Sequence, residues 1–306
     1  MSLAIISPGK NAQPWIEVLK NQNPDLTIQV YPEINDPESV EVVMLWNHPQ
    51  GILSNYPNLK LISSMGAGVD HILRDETIPE DIPVVRIVDE KLTFSMTNYV
   101  IMGVLNFHRQ ITRYQEDQKK KVWDMSNPEI DVKIGVMGVG ALGGDVLEKL
   151  DFMGFPVAGF GFSEKKDFPY PYYSKDKLSE FLEAVNVIVC LLPLTPDTEN
   201  ILDLELFSKC KKGSYLINVA RGKHLVEEDL LEALDKGFLS GALLDVYRTE
   251  PLPKDHPFWD ESRIQITPHI ASVTNPKAAA PQVVDNIRRI QSNQPLQNLV
   301  IRERGY

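Results

Sequence analysis

The stretch that most constrains the fold is "KIGVMGVGALGGDVLEKLDFMG", residues 133 to 154. A short apolar run, near 133–138, leads into Gly138-Val139-Gly140-Ala141-Leu142-Gly143, and a segment of helical spacing follows. In a G-x-G-x-x-G turn the first glycine permits the sharp reversal. The second lets backbone approach a pyrophosphate, and the third lets the helix pack on the strand. The helix N-terminus then presents free N–H groups to an anion. Glycine turns that bind nothing are common, but a strand before this one and a helix after it favour a dinucleotide site within a parallel sheet with helical crossovers.

The rest of the chain supplies that sheet. Further β-rich runs lie near 157–162, 185–192, 214–219, 241–246 and 263–267, separated by helical patterns, which predicts a doubly wound α/β sheet. Before it, "LAII", "LTIQVY", "VVMLW", "LKLISS" and "PVVRIV" alternate with polar or helix-like stretches, as in a second, smaller parallel sheet. A length of 306 residues suits two domains. Between the two series, Met96, Val100, Val104, Phe107, Ile111 and Tyr114 share one face of an expected long helix and possible hinge. "NPKAAAPQVVDNIRRIQ" predicts a last helix that crosses back to the first domain.

Composition narrows the function. Lys and Arg number 31 against 42 Asp and Glu, a net charge of −11, which argues against binding nucleic acid or an anionic membrane. Lys119, Lys120 and Lys121 read as a solvated face. The two cysteines, Cys190 and Cys210, form no disulfide framework or zinc spacing; His48, His71, His108, His224 and His256 share no metal-ligand spacing, and ordinary structural or solvent-facing roles suit them. With no basic leader and no apolar run of about 18 residues, a cytoplasmic location is expected.

The dinucleotide reading has one gap. An acidic residue about 20 positions after the glycines usually takes the ribose hydroxyls of NAD. Here the second strand ends at "FGFS", which puts Gly161 at that position. The missing carboxylate removes a charge that would repel a 2′-phosphate, and Ser163, Lys165 and Lys166 could donate to one. NADP(H) is favoured, with NAD(H) as the alternative. Both lysines could equally well only solvate a loop.

Ligands of open α/β sheets bind beyond the carboxyl ends of the strands. After the last three strands come Arg221, Glu250 and His269. That trio suits carbonyl reduction. An imidazole near neutrality delivers the proton that a hydride acceptor needs, a carboxylate keeps the ring charged and oriented, and an arginine pairs with a substrate carboxylate. Singly, Arg221 could be a surface residue, Glu250 a turn cap before Pro251, and His269 a ring bonded to a backbone carbonyl. Three consecutive strand ends behind a dinucleotide turn favour a shared role.

Together "GVGALG", "LLPLTPDTENIL", "LINVARG", "GALLDVYRTEPLP" and "ITPHIAS" resemble the D-isomer-specific 2-hydroxyacid dehydrogenase family. "MGAGVDHIL" and the run from "VTNPKAAAPQVVDNIRRIQ" to "RERGY" are similar, more narrowly, to its glyoxylate/hydroxypyruvate reductases. The resemblance spans the chain. It implies two Rossmann-like doubly wound domains: a discontinuous, flavodoxin-like substrate domain of residues 1–98 and 272–306, and an NAD(P)-binding domain of 99–271. It implies a homodimer and a small 2-oxoacid or 2-hydroxyacid substrate. Arg221 would hold the substrate, His269 would be the acid/base, and Glu250 its partner. Asp245 would lie near the nicotinamide carboxamide, and Leu192, Pro193 and Ala220 would line the cofactor cleft beside Gly138, Gly140, Ala141, Leu142 and Gly143. Gly66, Ala67 and Gly68 would bind the substrate carboxylate, with Trp46 as a pocket wall. An ordinary strand-to-helix turn and a packed core tryptophan are the alternatives at those two places. Gly161 departs from the wider family and puts NAD specificity in doubt. A dinucleotide-sensing protein on the same fold, or a dehydrogenase of D-lactate, phosphoglycerate or a bulkier acid, would share most of these features.

Overall fold

A computed structural model describes residues 1–305; Tyr306, the last residue of "RERGY", lies outside the described residues. The chain divides into two compact units, Met1–Leu92 with Val273–Tyr306, and Thr93–Ser272. Sequence reasoning drew these limits at 98/99 and 271/272.

The first unit contains β1 (Ser2–Ile6), α1 (Gln13–Gln22), β2 (Thr27–Val30), β3 (Val40–Leu45), β4 (Leu61–Ser64), α2 (Asp70–Leu73) and β5 (Val84–Val85). The five strands run parallel in the order β2-β1-β3-β4-β5, the flavodoxin-like arrangement, with its switch between β1 and β3. β1 and β4 are buried along their whole length: Leu3 to Ile6 of β1 read as an unbroken apolar run with no alternation, and the two serines that end β4 are buried as well.

α3 (Glu90–His108), whose first residues belong to the first unit, opens the second, followed by α4 (Ile111–Lys120), β6 (Ile134–Met137), α5 (Ala141–Phe152), β7 (Val157–Phe160) and β8 (Tyr172–Tyr173). Then come α6 (Leu178–Ala184), β9 (Val187–Cys190), α7 (Leu204–Ser208), β10 (Ser214–Asn218), α8 (Glu227–Asp235), β11 (Leu239–Leu244) and β12 (Ile264–Ile266). All pair parallel in the order β12-β11-β10-β9-β6-β7-β8, so strand order reverses between β6 and β9, beside the glycine turn. α9 (Pro276–Gln291) returns to the first unit. There Ala279, Ala280, Val283, Val284 and Ile287 pack with Trp15 and Leu19 of α1, and Val300 N donates to Val84 O.

Two features differ from the sequence expectation. The single helix expected from Ser95 through Tyr114 is two helices, because Gln110 adopts φ +54°, a left-handed conformation that breaks the α-helical path. α3 also starts earlier, at Glu90, where the Asp89 carboxylate accepts the N–H groups of Lys91 and Leu92. β8 was not anticipated; two residues are too short a run to show periodicity.

Candidate active site

Steric contacts at the glycine turn match the three roles read from its spacing. Gly138 has φ +99°, and a Cβ there would lie 2.5 Å from Leu191 O. A Cβ on Gly143 would lie 1.9 Å from Gly138 O, so only glycine lets α5 close on the turn. Around Gly140 a Cβ would meet nothing within 4 Å, which leaves its backbone open to approach. No side chain caps the N-terminus of α5. The first turn of a helix has no intrahelical acceptor for its N–H groups, so Ala141, Leu142 and Gly143 can bind an anion. This cradle fits a dinucleotide. Leu192 and Ala220, both buried, and the half-buried Pro193 lie just past β9 and β10.

At the far end of the sheet the structure brings two members of the trio into contact. His269 Nδ1 and Glu250 Oε2 are 2.7 Å apart, and each side chain keeps about a third of its surface exposed (33% and 35%). Glu250 Oε1 accepts the N–H of Tyr247. Burial disfavours the Glu250 carboxylate, but the His269 bond, the Tyr247 N–H and the charges of His269 and Arg221 outweigh it. The net effect holds its pKa below the ordinary value. Arg221 follows β10 on a turn that Asn218 shapes, by accepting from Ala220 N and donating to Arg221 O. A Cβ on Gly222 would lie 1.9 Å from the Tyr247 carbonyl carbon, so this glycine is what lets the loops after β10 and β11 close together. That proximity is why Arg221 is felt at Glu250.

The loop carrying His269 is held by Asp245. This buried carboxylate accepts from Thr267 Oγ1 (2.6 Å), Ile270 N (2.8 Å) and Ala271 N (2.7 Å). Both of its oxygens are thereby engaged, so its observed role is to fix the loop on either side of His269, which itself has φ +55°. A left-handed histidine persists only where its surroundings over-determine it. Tyr99 Oη bonds Thr267 Oγ1 at 2.5 Å, and Tyr247 Oη donates to Leu244 O and Thr267 O. Burial pushes the Tyr99 phenol up to about 12, so it stays a neutral partner. Sequence reasoning missed Thr267, Tyr99 and Tyr247. Thr267 stands two residues before the histidine in "ITPHIAS", but nothing in the sequence pairs it with Asp245. His224, given an ordinary role from the sequence, is buried and joins Arg221 N to Pro193 O.

At the end of β7, Gly161 is buried and followed by exposed Ser163, Glu164, Lys165 and Lys166. Lys165 Nζ donates to Val139 O at 2.8 Å, inside the glycine turn, so it reaches the cradle. Both cysteines are buried, and burial raises each thiol to about 12, which leaves them unreactive packing residues. Among the described residues no group of three or more His, Cys, Asp or Glu is placed to hold a metal. No helix among them is long and apolar enough to cross a membrane.

In the first unit, Gly66-Ala67-Gly68 follows β4. A Cβ on Gly66 would lie 2.9 Å from Trp46 Cζ3, so the glycine lets the indole rest against the turn. Lys10 Nζ stands 3.8 Å from the centre of the Trp46 ring, and the His71 ring lies 5.1 Å away on centroids. His48 is buried against Asp75, its Nε2 3.0 Å from Oδ2.

Comparison with known proteins places these features. The family model described as D-isomer specific 2-hydroxyacid dehydrogenase, NAD binding domain, matches residues 101–271. Glyoxylate/hydroxypyruvate reductase A of Yersinia enterocolitica is 37% identical, with 100% of each chain covered. The crystal structure of NADPH-dependent glyoxylate/hydroxypyruvate reductase from Sinorhizobium meliloti, in complex with NADP and sulfate, superposes with TM-score 0.93 at 36% identity, covering 100% of each chain. A D-isomer specific 2-hydroxyacid dehydrogenase from Xanthobacter autotrophicus Py2, in complex with NADPH and MES, gives 0.94 at 34%, covering 100% of this chain and 99% of that one.

Proposed function

Because the chain belongs to the D-isomer specific 2-hydroxyacid dehydrogenase family, and is an NAD(P)-dependent oxidoreductase, we propose that it reduces small 2-oxoacids with NADPH. The substrates are glyoxylate, giving glycolate, and hydroxypyruvate, giving D-glycerate. NADPH supplies a hydride to the carbonyl carbon. His269 gives the balancing proton to the developing alkoxide from Nε2, because Nδ1 is committed to Glu250. That single bond carries the reading: it fixes the orientation of the ring. Arg221 pairs with the substrate carboxylate and polarises the carbonyl. The Gly66-Ala67-Gly68 turn and Trp46 of the first unit are assigned to substrate binding on the family resemblance alone.

NADP(H) is the dinucleotide we assign, with NAD(H) as the weaker alternative. The glycine cradle, the absence of an acid at Gly161 and the reach of Lys165 to the glycine turn support it. The Sinorhizobium and Xanthobacter relatives were crystallised with NADP and NADPH. A homodimer fits the exposed Trp123 and Met125, 90% and 77% accessible, which follow α4. Light scattering should give twice the chain mass, and Trp123→Glu should shift it toward the monomer. A cytoplasmic site of action completes the proposal.

The test is loss of reduced-nicotinamide absorbance with NADPH and NADH in parallel, on adding glyoxylate, hydroxypyruvate, pyruvate or phosphohydroxypyruvate. Rapid NADPH loss with the first two supports the assignment. Binding of NADPH without turnover of any oxoacid would replace it with a sensing role.

A further inference from the structure

Tyr172 occupies the place where an acid at the end of β7 would reside. β8 pairs with β7 through Gly159 with Tyr172 and Phe160 with Tyr173, and Gly161 N donates to Tyr173 O. This register sets the Tyr172 ring beside Gly161. A Cβ built there would lie 2.6 Å from Tyr172 Oη, with the next atom, Cζ, at 3.5 Å. The obstacle is therefore one oxygen atom.

That oxygen cannot swing aside cheaply. Tyr172 Oη donates to Ser163 O at 2.5 Å, and its ring packs edge-on against Phe168 with centroids 5.4 Å apart. Lys165 Nζ lies 5.3 Å from the centre of the Phe168 ring while bonded to Val139 O in the glycine turn. A Cβ on Gly159 would meet Val139 at 2.8 Å and Phe168 at 3.1 Å, so the aromatic wall is seated against glycine beneath it as well. One hydroxyl thus excludes a side chain at 161 and fixes the carbonyl of Ser163, two residues from Lys165. Where a carboxylate would read a ribose diol, this chain has a phenol facing its own backbone.

We propose that Tyr172 is a selectivity residue of the dinucleotide site: its hydroxyl bars a ribose-reading acid from position 161 and holds the Ser163–Lys166 turn that receives a 2′-phosphate. The inference rests on the NADP(H) assignment above and adds a positioning residue to it. Two consequences follow. An acid at 161 does not by itself confer NAD(H) selectivity, and removing the Tyr172 hydroxyl makes position 161 substitutable.

The experiment is a double-mutant cycle on the full chain with Gly161→Asp, Tyr172→Phe and the pair. Dissociation constants for NADPH and NADH come from nicotinamide fluorescence, and melting temperatures are taken without cofactor. Gly161→Asp alone should lower the melting temperature and weaken both dinucleotides, with their ratio moving less than about 3-fold. Tyr172→Phe should weaken NADPH about 3-fold and leave NADH unchanged. The pair should recover melting temperature relative to Gly161→Asp and move the ratio at least about 30-fold toward NADH, more than the sum of the single effects. If Gly161→Asp proves insoluble, Gly161→Ala in the two backgrounds asks the same steric question, and it should destabilise only where the tyrosine is present. A full swing toward NADH from Gly161→Asp alone, or equal costs of Gly161→Ala in both backgrounds, would overturn the proposal. Direct binding needs no oxoacid, so failure of the reductase reading leaves this test intact.

Discussion

Beyond β11 the chain places two carboxylates that hold the loop after β12, whereas at the end of β7 it has none. Asp245 and Glu250 accept from Thr267, Ile270, Ala271, Tyr247 and His269, and the left-handed histidine is fixed between them. Beside Gly161 the Tyr172 phenol fills the corresponding volume, packed against Phe168, which in turn meets Tyr170. On the proposed function His269 donates the proton, and the carboxylates of the first place hold its ring and its loop in one orientation. On the proposed NADP(H) assignment the second place accepts negative charge, so a carboxylate would defeat it, and shape replaces electrostatics. One sheet carries both solutions, and substitutions should separate them.

The largest loss short of removing the proton donor is expected for Asp245→Ala. It leaves the buried N–H of Ala271 and the part-buried N–H of Ile270 without their acceptor, which costs about 3 kcal/mol of stability by the usual penalty for such groups. Turnover should fall with it, while NADPH affinity should change far less. Calorimetry and steady-state kinetics on the same preparation check this. Glu250→Gln keeps shape and removes charge, so kcat should fall about 100-fold, as when a general acid loses its orienting carboxylate. Its effect on the NADPH dissociation constant should be negligible.

A smaller effect concerns acid. The Glu250 pKa is depressed from its ordinary 4.5, so its contribution to stability is fully present above that value. It disappears as pH falls through the lower folded value. The melting-temperature gap between wild type and Glu250→Gln should therefore close as pH is taken from about 6 to about 3. Smallest is Tyr99→Phe, which removes one bond to Thr267 and should cost about 1 kcal/mol with little change in cofactor affinity. A large change in NADPH affinity from any of these variants would break the separation between the two places.

Most of the architecture was legible because buried parallel strands leave unbroken apolar runs and a G-x-G-x-x-G turn has steric requirements at each glycine. The residues at three strand ends were legible for a related reason, since topology fixes where loops converge. The helix break at Gln110 was not, because a left-handed glutamine carries no mark in the pattern. The bonds from Thr267 to Asp245 and Tyr99 join residues 22 and 168 positions apart, beyond what local spacing reports. Tyr172 was hidden by the shortness of β8. Its meaning lies wholly in register, which puts a tyrosine hydroxyl beside a glycine 11 residues earlier in the chain.

We propose that His269 moves the proton while other groups hold the dinucleotide. The most direct test is His269→Ala, with NADPH affinity read by fluorescence and glyoxylate-dependent NADPH oxidation read on the same sample. The account predicts an unchanged dissociation constant and a turnover lower by about 1,000-fold or more. Turnover equal to wild type would contradict it.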